Sequence, residues 1–415
     1  MRQIVVLGCG FAGYHAARRI EKELTGRRRV QLTVVTRRAH FVFTPLLPGV
    51  ASGELEANHI ITPVDEAFSA RTEVIIDEVE DIDFAKRHLV GTREKIPFDY
   101  LLIATGSVRD EEAFDGASKL VGPSTLTDAT AIRRDLLELC ATGDRPLRFA
   151  LIGGSTSGVE WAAELATGLR IDHGLTPEGG DVEIALYEKG DRLLPDHSEQ
   201  VSQLAARVLD GLGVQTHLEQ RIQRVEAEKV HLDDGSSYPH SMAFHCAGRR
   251  GISLWSQAAP KVDDLDRIEV DDTLAITEVP GVYVAGDAAA PLSDVPTRSN
   301  PQIALQQGRW AARNLLADMS GRMKKPFQYE DRGDFVTLGR NDAALEMRGL
   351  LLEGKAAWLA YRLYYTALIP RPIQKARLMM DWIASRMAAN DSPAPALLEE
   401  HRENKNGAED DSSTP

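Results

Sequence analysis

Cysteine is scarce in this chain: Cys9, Cys140 and Cys246 are the only three in 415 residues, and no two form a C-x-x-C pair. That scarcity excludes a disulfide framework and a dithiol redox centre. Positive charge is also short. A formal net charge of −14 argues against a nucleic-acid partner, since neutralising phosphates takes a basic surface. No uninterrupted apolar run reaches transmembrane length. The first strand begins almost at Met1, which leaves no room for a leader peptide, so the chain is expected to stay in the cytoplasm. No metal site is expected. What remains is ordinary for a soluble globular protein, with 43% hydrophobic and 27% charged residues and length enough for two or more domains.

The chain is organised around Ile4-Val5-Val6-Leu7, a buried strand by composition, followed by Gly8, Gly10 and Gly13 at G-x-G-x-x-G spacing and a helix from Tyr14 to Leu24. The first glycine permits the tight turn, the second lets a pyrophosphate approach the backbone, and the third lets helix and strand pack closely. Phe11 and Ala12 complete the loop, and the helix N-terminus offers N–H groups to phosphate. A glycine-rich turn serving packing alone would look the same. The next strand, Gln31 to Thr36, commonly ends in an acid that binds ribose; here it ends in Thr36-Arg37-Arg38. A threonine hydroxyl and an arginine can contact an adenosine ribose or pyrophosphate, or simply be a solvated strand end.

A second unit repeats the plan. Phe149 to Ile152 reads as a strand, Gly153-Gly154-Ser155-Thr156-Ser157-Gly158 as a G-x-S-x-x-G loop, and Val159 to Leu169 as a helix. Serine is small enough to let a phosphate pass. The matching strand, Val182 to Tyr187, ends in Glu188, a carboxylate placed to grip a ribose diol and to repel a 2′-phosphate, which favours NAD over NADP. Ala247-Gly248 closes this unit.

Between and after the two units lie other informative stretches. Phe43 to Gly49 holds Pro45 and Pro48 in a rigid, turn-rich segment, an apolar lip for a flat ring or an ordinary loop. Segments Glu73–Glu80 and Lys86–Val90 read as a hairpin insertion. Tyr100 to Ile103 is a buried strand running into the small-residue turn Ala104-Thr105-Gly106. Val282 to Ala285 leads to Gly286-Asp287, an acid placed to accept from a sugar-alcohol hydroxyl. A helix then runs from Gln302 to Leu316.

In this order the pieces resemble the two-dinucleotide-domain flavoproteins related to glutathione reductase. The fold class implied is α/β, with two Rossmann-like domains, the FAD domain discontinuous, and a C-terminal amphipathic helical region. Within that family the chain is similar to type II NADH:quinone oxidoreductases, the single-subunit, non-pumping respiratory dehydrogenases. The similarity rests on Phe43–Pro48, Ser157-Gly158-Val159-Glu160, Pro301-Gln302-Ile303-Ala304-Leu305-Gln306-Gln307-Gly308, and the run from Phe335 through Leu338-Gly339-Arg340 to Trp358. It covers about residues 1–388. Plant- and fungal-type members also lack the first acid. Glutathione-reductase-type enzymes need paired cysteines and sulfide:quinone oxidoreductases need one late in the chain, and neither pattern is here.

The resemblance implies FAD held by Gly8, Gly10, Phe11, Ala12, Gly13, Thr36, Arg37, Pro45, Ala104, Thr105, Gly106, Gly286 and Asp287. It implies NADH held by Gly153 to Ser157, Glu188 and Gly248. Glu160 matches the family glutamate near the nicotinamide, an acid also favourable in a first helical turn. Gln302 and Gln306, one turn apart, match the quinone-pocket glutamines. Domains are expected at 1–110 with 268–325 (FAD), 111–267 (NADH), 326–388 (membrane association or dimerisation) and 389–415 (a disordered acidic tail).

From Gly354 to Arg386 the chain is net +5 against −14 overall. Lys355, Arg362 and Thr366 share a stripe, and Ile373, Ala376, Met380, Ile383 and Met387 share a face. This basic amphipathic pair fits the inner face of the cell membrane, a homodimer contact, or the protein's own core. Three alternatives to quinone reduction stay open: reduction of a small carrier such as a ferredoxin or rubredoxin, an acceptor of carotenoid or sulfur metabolism, and a regulatory flavoprotein without useful turnover.

Overall fold

A computed structural model describes residues 1–24, 29–255, 260–290, 292 and 300–388, with side chains through 384. The acidic tail expected over 389–415 lies outside them. The chain forms two compact units. The first comprises Met1–Val42, Ile61–Asp110 and Gly248–Arg332; the second comprises Phe43–Ile60, Glu111–Ala247 and Gly333–Pro415. Relative to the expected domain edges, 248–267 belongs with the first unit and 43–60 with the second.

The first unit is built on a five-stranded parallel sheet in the order Val282–Val284, Tyr100–Ile103, Arg2–Leu7, Val30–Thr36, Thr72–Ile76. Its central strands are buried on both faces, which is why Ile4 to Leu7 reads as an unbroken apolar run. One face carries the helices Phe11–Glu23 and Pro301–Met319, packed on each other. The other is covered by a meander, Val79–Asp83, His88–Gly91 and Lys95–Pro97, through Val79, Ile82, Phe84, Leu89, Ile96 and Phe98.

The hairpin expected over Glu73–Glu80 is therefore misplaced. Residues 72–76 are the edge strand of the parallel sheet, and the antiparallel pairing starts at Val79. An edge strand covered on one side alternates like a hairpin strand, so periodicity alone does not separate the two.

The second unit repeats the plan with four parallel strands, Val214–His217, Val182–Tyr187, Leu147–Ile152 and Met242–His245. An antiparallel sheet of Ile222–Val225, Lys229–Leu232 and Ser237–Pro239 closes onto it. Its first helix, Thr156–His173, is buried along most of its length. That burial takes in Glu164, which faces Arg340 Nε at 3.2 Å and accepts from Ser52 Oγ at 2.6 Å. Burial opposes the charge on Arg340, but the hydrogen bonds it donates to Asp172 (2.6 and 2.9 Å) and the charges of Glu164, Asp172 and Glu54 outweigh it and keep the guanidinium protonated.

The unit ends in a meander, Asp334–Thr337, Ala343–Met347 and Leu350–Glu353, and the helices Gly354–Leu368 and Pro372–Ala388. The second of these helices buries Gln374, Leu378 and Trp382 and leaves Ile373, Met380 and Ile383 exposed. Arg362, counted above among the headgroup bases, is instead buried. It pairs with Glu54 and lies between the rings of Trp358 (3.6 Å) and Trp382 (4.5 Å). No helix among the described residues is long and apolar enough to cross a membrane.

Candidate active site

In the first unit, each loop glycine has a distinct steric job. Gly8 has φ +97°, and a Cβ there would lie 2.3 Å from the Ala104 carbonyl oxygen; a Cβ on Gly13 would lie 1.9 Å from that of Gly8. At Gly10 and Gly106 an added Cβ would meet nothing within 4 Å. Tight glycines thus shape the turn, and open ones line a cradle that a pyrophosphate can enter. Gly10 caps the helix with no side-chain bond, and Phe11 packs edge-on against Phe41 at 5.3 Å. The donor groups and the open cradle fit FAD.

Thr36 uses its hydroxyl on the Arg38 backbone (3.3 and 3.4 Å), while Arg37 is exposed and 3.8 Å from Glu78. Asp287 Oδ2 accepts from Ser107 Oγ at 2.9 Å. Arg249 donates to Ser107 Oγ and to the Ser107 carbonyl, both at 2.8 Å, and stands 4.0 Å from Asp287. Gly248, at the edge of this unit, has φ +65° and accepts from the Asp110 N–H at 3.2 Å.

The two expected quinone glutamines differ. Gln302 is buried, with its backbone N–H donating to Asn300 Oδ1 at 2.7 Å. Gln306 exchanges two hydrogen bonds with the Glu330 backbone (2.9 and 3.0 Å), so its amide holds the loop before Arg332. Gln307, which the sequence reading passed over, is buried and accepts from the Gly286 N–H at 2.8 Å. Next to it, a Cβ on Gly308 would lie 2.1 Å from the Ala12 carbonyl oxygen. These two residues fasten the Pro301–Met319 helix to the Gly286-Asp287 turn and to the first loop.

The second unit has the same loop sterics. Gly153 has φ +109°, with a Cβ 2.7 Å from Ala247, and a Cβ on Gly158 would be 1.8 Å from the Gly153 carbonyl oxygen. Ser155 is the helix N-cap in extended conformation, φ −71°, so this position needs no glycine. Glu188 is buried and accepts from the Gly154 N–H (2.6 Å) and the Gly190 N–H (2.8 Å), which fixes its carboxylate against the loop. Thr156 Oγ1 lies 3.0 Å from His197 Nε2. Pro45 belongs to this unit, and its carbonyl accepts from the Tyr361 hydroxyl at 3.1 Å.

Glu160, in the first turns of the helix, accepts from the Thr337 N–H at 3.0 Å. Burial, and secondarily the charge of Asp334, push its carboxyl up to about 7 against that bond. Sequence reading gave no sign of Asp334 or His197, because both reach the loop only through the fold.

The family description "Pyridine nucleotide-disulphide oxidoreductase" matches residues 2–308. The chain belongs to that family. It is similar to the type II NADH:quinone oxidoreductase Ndh of Mycobacterium tuberculosis, 25% identical over 412 residues covering 92% of this chain and 87% of the relative. It is 28% identical to the demethylphylloquinone reductase NdbB of Synechocystis over 92% of this chain and 95% of the relative. The solved structure of Plasmodium falciparum NDH2 in complex with NADH superimposes with a TM-score of 0.82 at 16% identity, covering 95% of this chain and 99% of that one, which bears on the fold.

Proposed function

We propose that this protein is an FAD-dependent NADH:quinone oxidoreductase that does not pump protons. The observation that carries the reading is the pair of dinucleotide cradles, one in each unit, of which only the second ends in a buried acid held against its glycine loop. Full-length similarity to quinone-reducing relatives supplies the acceptor class. Bound FAD supplies the two-electron transfer from NADH to quinone.

The chain's own residues hold and orient. Gly8, Gly10, Phe11, Ala12, Gly13 and the Ala104-Thr105-Gly106 turn receive the FAD pyrophosphate; Thr36 and Arg37 flank its adenosine; Gly286-Asp287, held by Gln307 and Ser107, takes the ribityl chain. Pro45, tied to Tyr361, serves as an apolar lip. Gly153 to Ser157 and Glu188 seat NADH. Glu160 sits at the nicotinamide end as a proton-carrying group, and Gln302 bonds the quinone carbonyl. Gln306 serves that site by anchoring the loop at Glu330.

Exposed Leu359, Leu363 (63%), Ile373, Met380 (58%) and Ile383 (59%) give the C-terminal helices an apolar surface. We read it as a seat on the inner face of the cell membrane, where quinone resides. Purified holoenzyme should oxidise NADH with a soluble quinone far faster than with rubredoxin or ferredoxin. It should also float with anionic vesicles and lose that flotation in a Met380→Asp, Ile383→Asp variant. Preference for a carrier protein would overturn the acceptor assignment, and unchanged flotation with a homodimer in solution would make the same face a subunit contact.

A further inference from the structure

The second glycine loop is tied to the segment that follows Glu188. The Leu194 N–H donates to the Gly154 carbonyl at 2.8 Å, and the His197 N–H closes a turn on the Leu194 carbonyl at 2.9 Å. Arg192 laces that turn by donating to the carbonyls of Leu194 (3.3 Å), Pro195 (2.6 Å) and His197 (3.0 Å). Ser198 then caps the helix Glu199–Gly211, accepting from the Val201 N–H at 3.4 Å. These bonds use backbone, and they leave the His197 ring turned to the loop.

That ring is 1% exposed and spans two groups. Nε2 lies 3.0 Å from Thr156 Oγ1, on the first residue of the helix whose N-terminus suits a pyrophosphate. Nδ1 lies 3.8 Å from Asp334 Oδ2, an ion pair once the ring is charged. Thr156, His197 and Asp334 all belong to the second unit. Charged groups also bear on the ring from its neighbours. Arg192, Asp196 and Glu199 lie along its own segment, and Glu160 follows Thr156 by one helical turn. Glu346 pairs with Asp334 across the strands and accepts from the Ser198 N–H at 3.4 Å.

A dinucleotide pyrophosphate accepts hydrogen bonds and donates none, so the Thr156 side chain can hold it only with the hydroxyl proton. His197 competes for that proton. With a bare Nε2, the hydroxyl donates to the ring and turns lone pairs to the phosphate. With a proton on Nε2, the ring donates to Oγ1 and releases the hydroxyl proton to the phosphate. The Asp334 carboxylate decides between these states. In the neutral ring it favours the single proton on Nδ1, facing it, which leaves Nε2 bare. Both nitrogens carry protons only in the imidazolium, which the same carboxylate stabilises.

We propose that the Thr156 hydroxyl donates to the dinucleotide pyrophosphate, that His197 is its positioning residue, and that binding takes up one proton from solvent on His197. The inference rests on the second loop being the NADH seat. It makes affinity depend on pH before any electron moves: tight with the ring charged, weaker as pH rises. NAD⁺ carries the same pyrophosphate, so release of product follows the same dependence.

ADP-ribose, which has the pyrophosphate and no nicotinamide, reads this linkage without turnover. Calorimetry on the FAD-loaded protein, in buffers of different ionisation enthalpy, counts the protons. Up to about one should be taken up per ADP-ribose, with affinity falling as pH rises between about 5 and 8. Thr156→Val should bind about ten-fold more weakly at the acid end and take up none, and Thr156→Ser should restore both. His197→Gln puts an N–H that does not titrate beside Thr156. Its affinity should stay within about three-fold of the acid-end parent value and be flat with pH, which a merely structural histidine would not produce. Asp334→Asn should move the uptake to lower pH, because losing a negative neighbour disfavours the imidazolium.

Parent binding without proton uptake overturns the proposal and leaves the NADH seat standing. Uptake that survives in Thr156→Val, or a His197→Gln protein as pH-dependent as the parent, overturns it too. ADP-ribose that does not bind the FAD-loaded protein removes the NADH seat itself and this inference with it.

Discussion

The two glycine loops are near copies in their sterics and differ in what surrounds them. Gly8 and Gly153 both take positive φ against a facing alanine, and Gly13 and Gly158 both leave less than 2 Å to a carbonyl oxygen for an added Cβ. Around the first loop, Gly10 is open, the neighbouring strand ends in Thr36, and Gln307 and Gly308 bolt a second helix across it. Around the second, Ser155 replaces the middle glycine and Glu188 reaches back to the loop. Fastened from two sides without a carboxylate, the first suits a resident cofactor. The second, with a carboxylate for a ribose diol, suits a substrate that must leave each turnover.

The largest test of this contrast is a methyl group. Gly13→Ala should cost the bound flavin on purification, whereas Gly158→Ala should keep the flavin and raise the KM for NADH about a hundred-fold, as expected for overpacking of a few kcal/mol. Flavin absorbance per protein and steady-state kinetics check both; equal flavin loss in the two variants would break the assignment of loops to cofactors. Next comes the acid. Glu188→Ala should lower kcat/KM for NADH about ten- to a hundred-fold and affect NADPH less, because it removes charge-assisted bonds of about 1.5–3 kcal/mol and the repulsion of a 2′-phosphate. Thr36→Ala should change FAD affinity less than about three-fold, its hydroxyl being committed to a neighbouring backbone worth about 1 kcal/mol at most.

The two helices also carry titratable groups at equivalent places, seven residues after the first glycine: His15 and Glu160. Burial, aided by the charge of Arg309, lowers His15 from 6.5 to about 3; burial raises Glu160 from 4.5 to about 7. The linkage signs are opposite. Glu160 favours the folded state fully below 4.5 and that contribution is lost as pH rises through 7, whereas the His15 contribution is present above 6.5 and lost as pH falls toward 3. Urea unfolding across this range should show Glu160→Gln removing a decline on the order of 3 kcal/mol between about pH 4.5 and 7. His15→Gln should flatten only the acid side. Matching slopes in the two variants would erase the difference. The smallest effect is expected from Ser155→Gly, which makes the loops alike and should move the KM for NADH less than about two-fold, since a serine cap exceeds glycine by only a few tenths of a kcal/mol.

What could be read from sequence follows from how local each constraint is. Gly8, Gly13, Gly153 and Gly158 were legible because a tight turn rejects any side chain whatever the distant context. Glu188 was legible because it ends the strand beside the loop. Gln307 stood one place beyond the glutamine singled out, and only the fold shows that it, not Gln306, meets Gly286. Arg362 counts as a surface base until Glu54, 308 residues away in the chain, is brought onto it. Asp334 and His197 carry no sequence signal for the same reason: their partners are set by packing.

The most direct measurement is anaerobic titration of the yellow holoenzyme with NADH, followed by a water-soluble quinone. One equivalent of NADH should bleach the flavin, NADPH should do so far more slowly, and quinone should restore the colour in equal proportion. A protein that lacks flavin, or whose flavin NADH reduces but quinone does not reoxidise, would contradict the account.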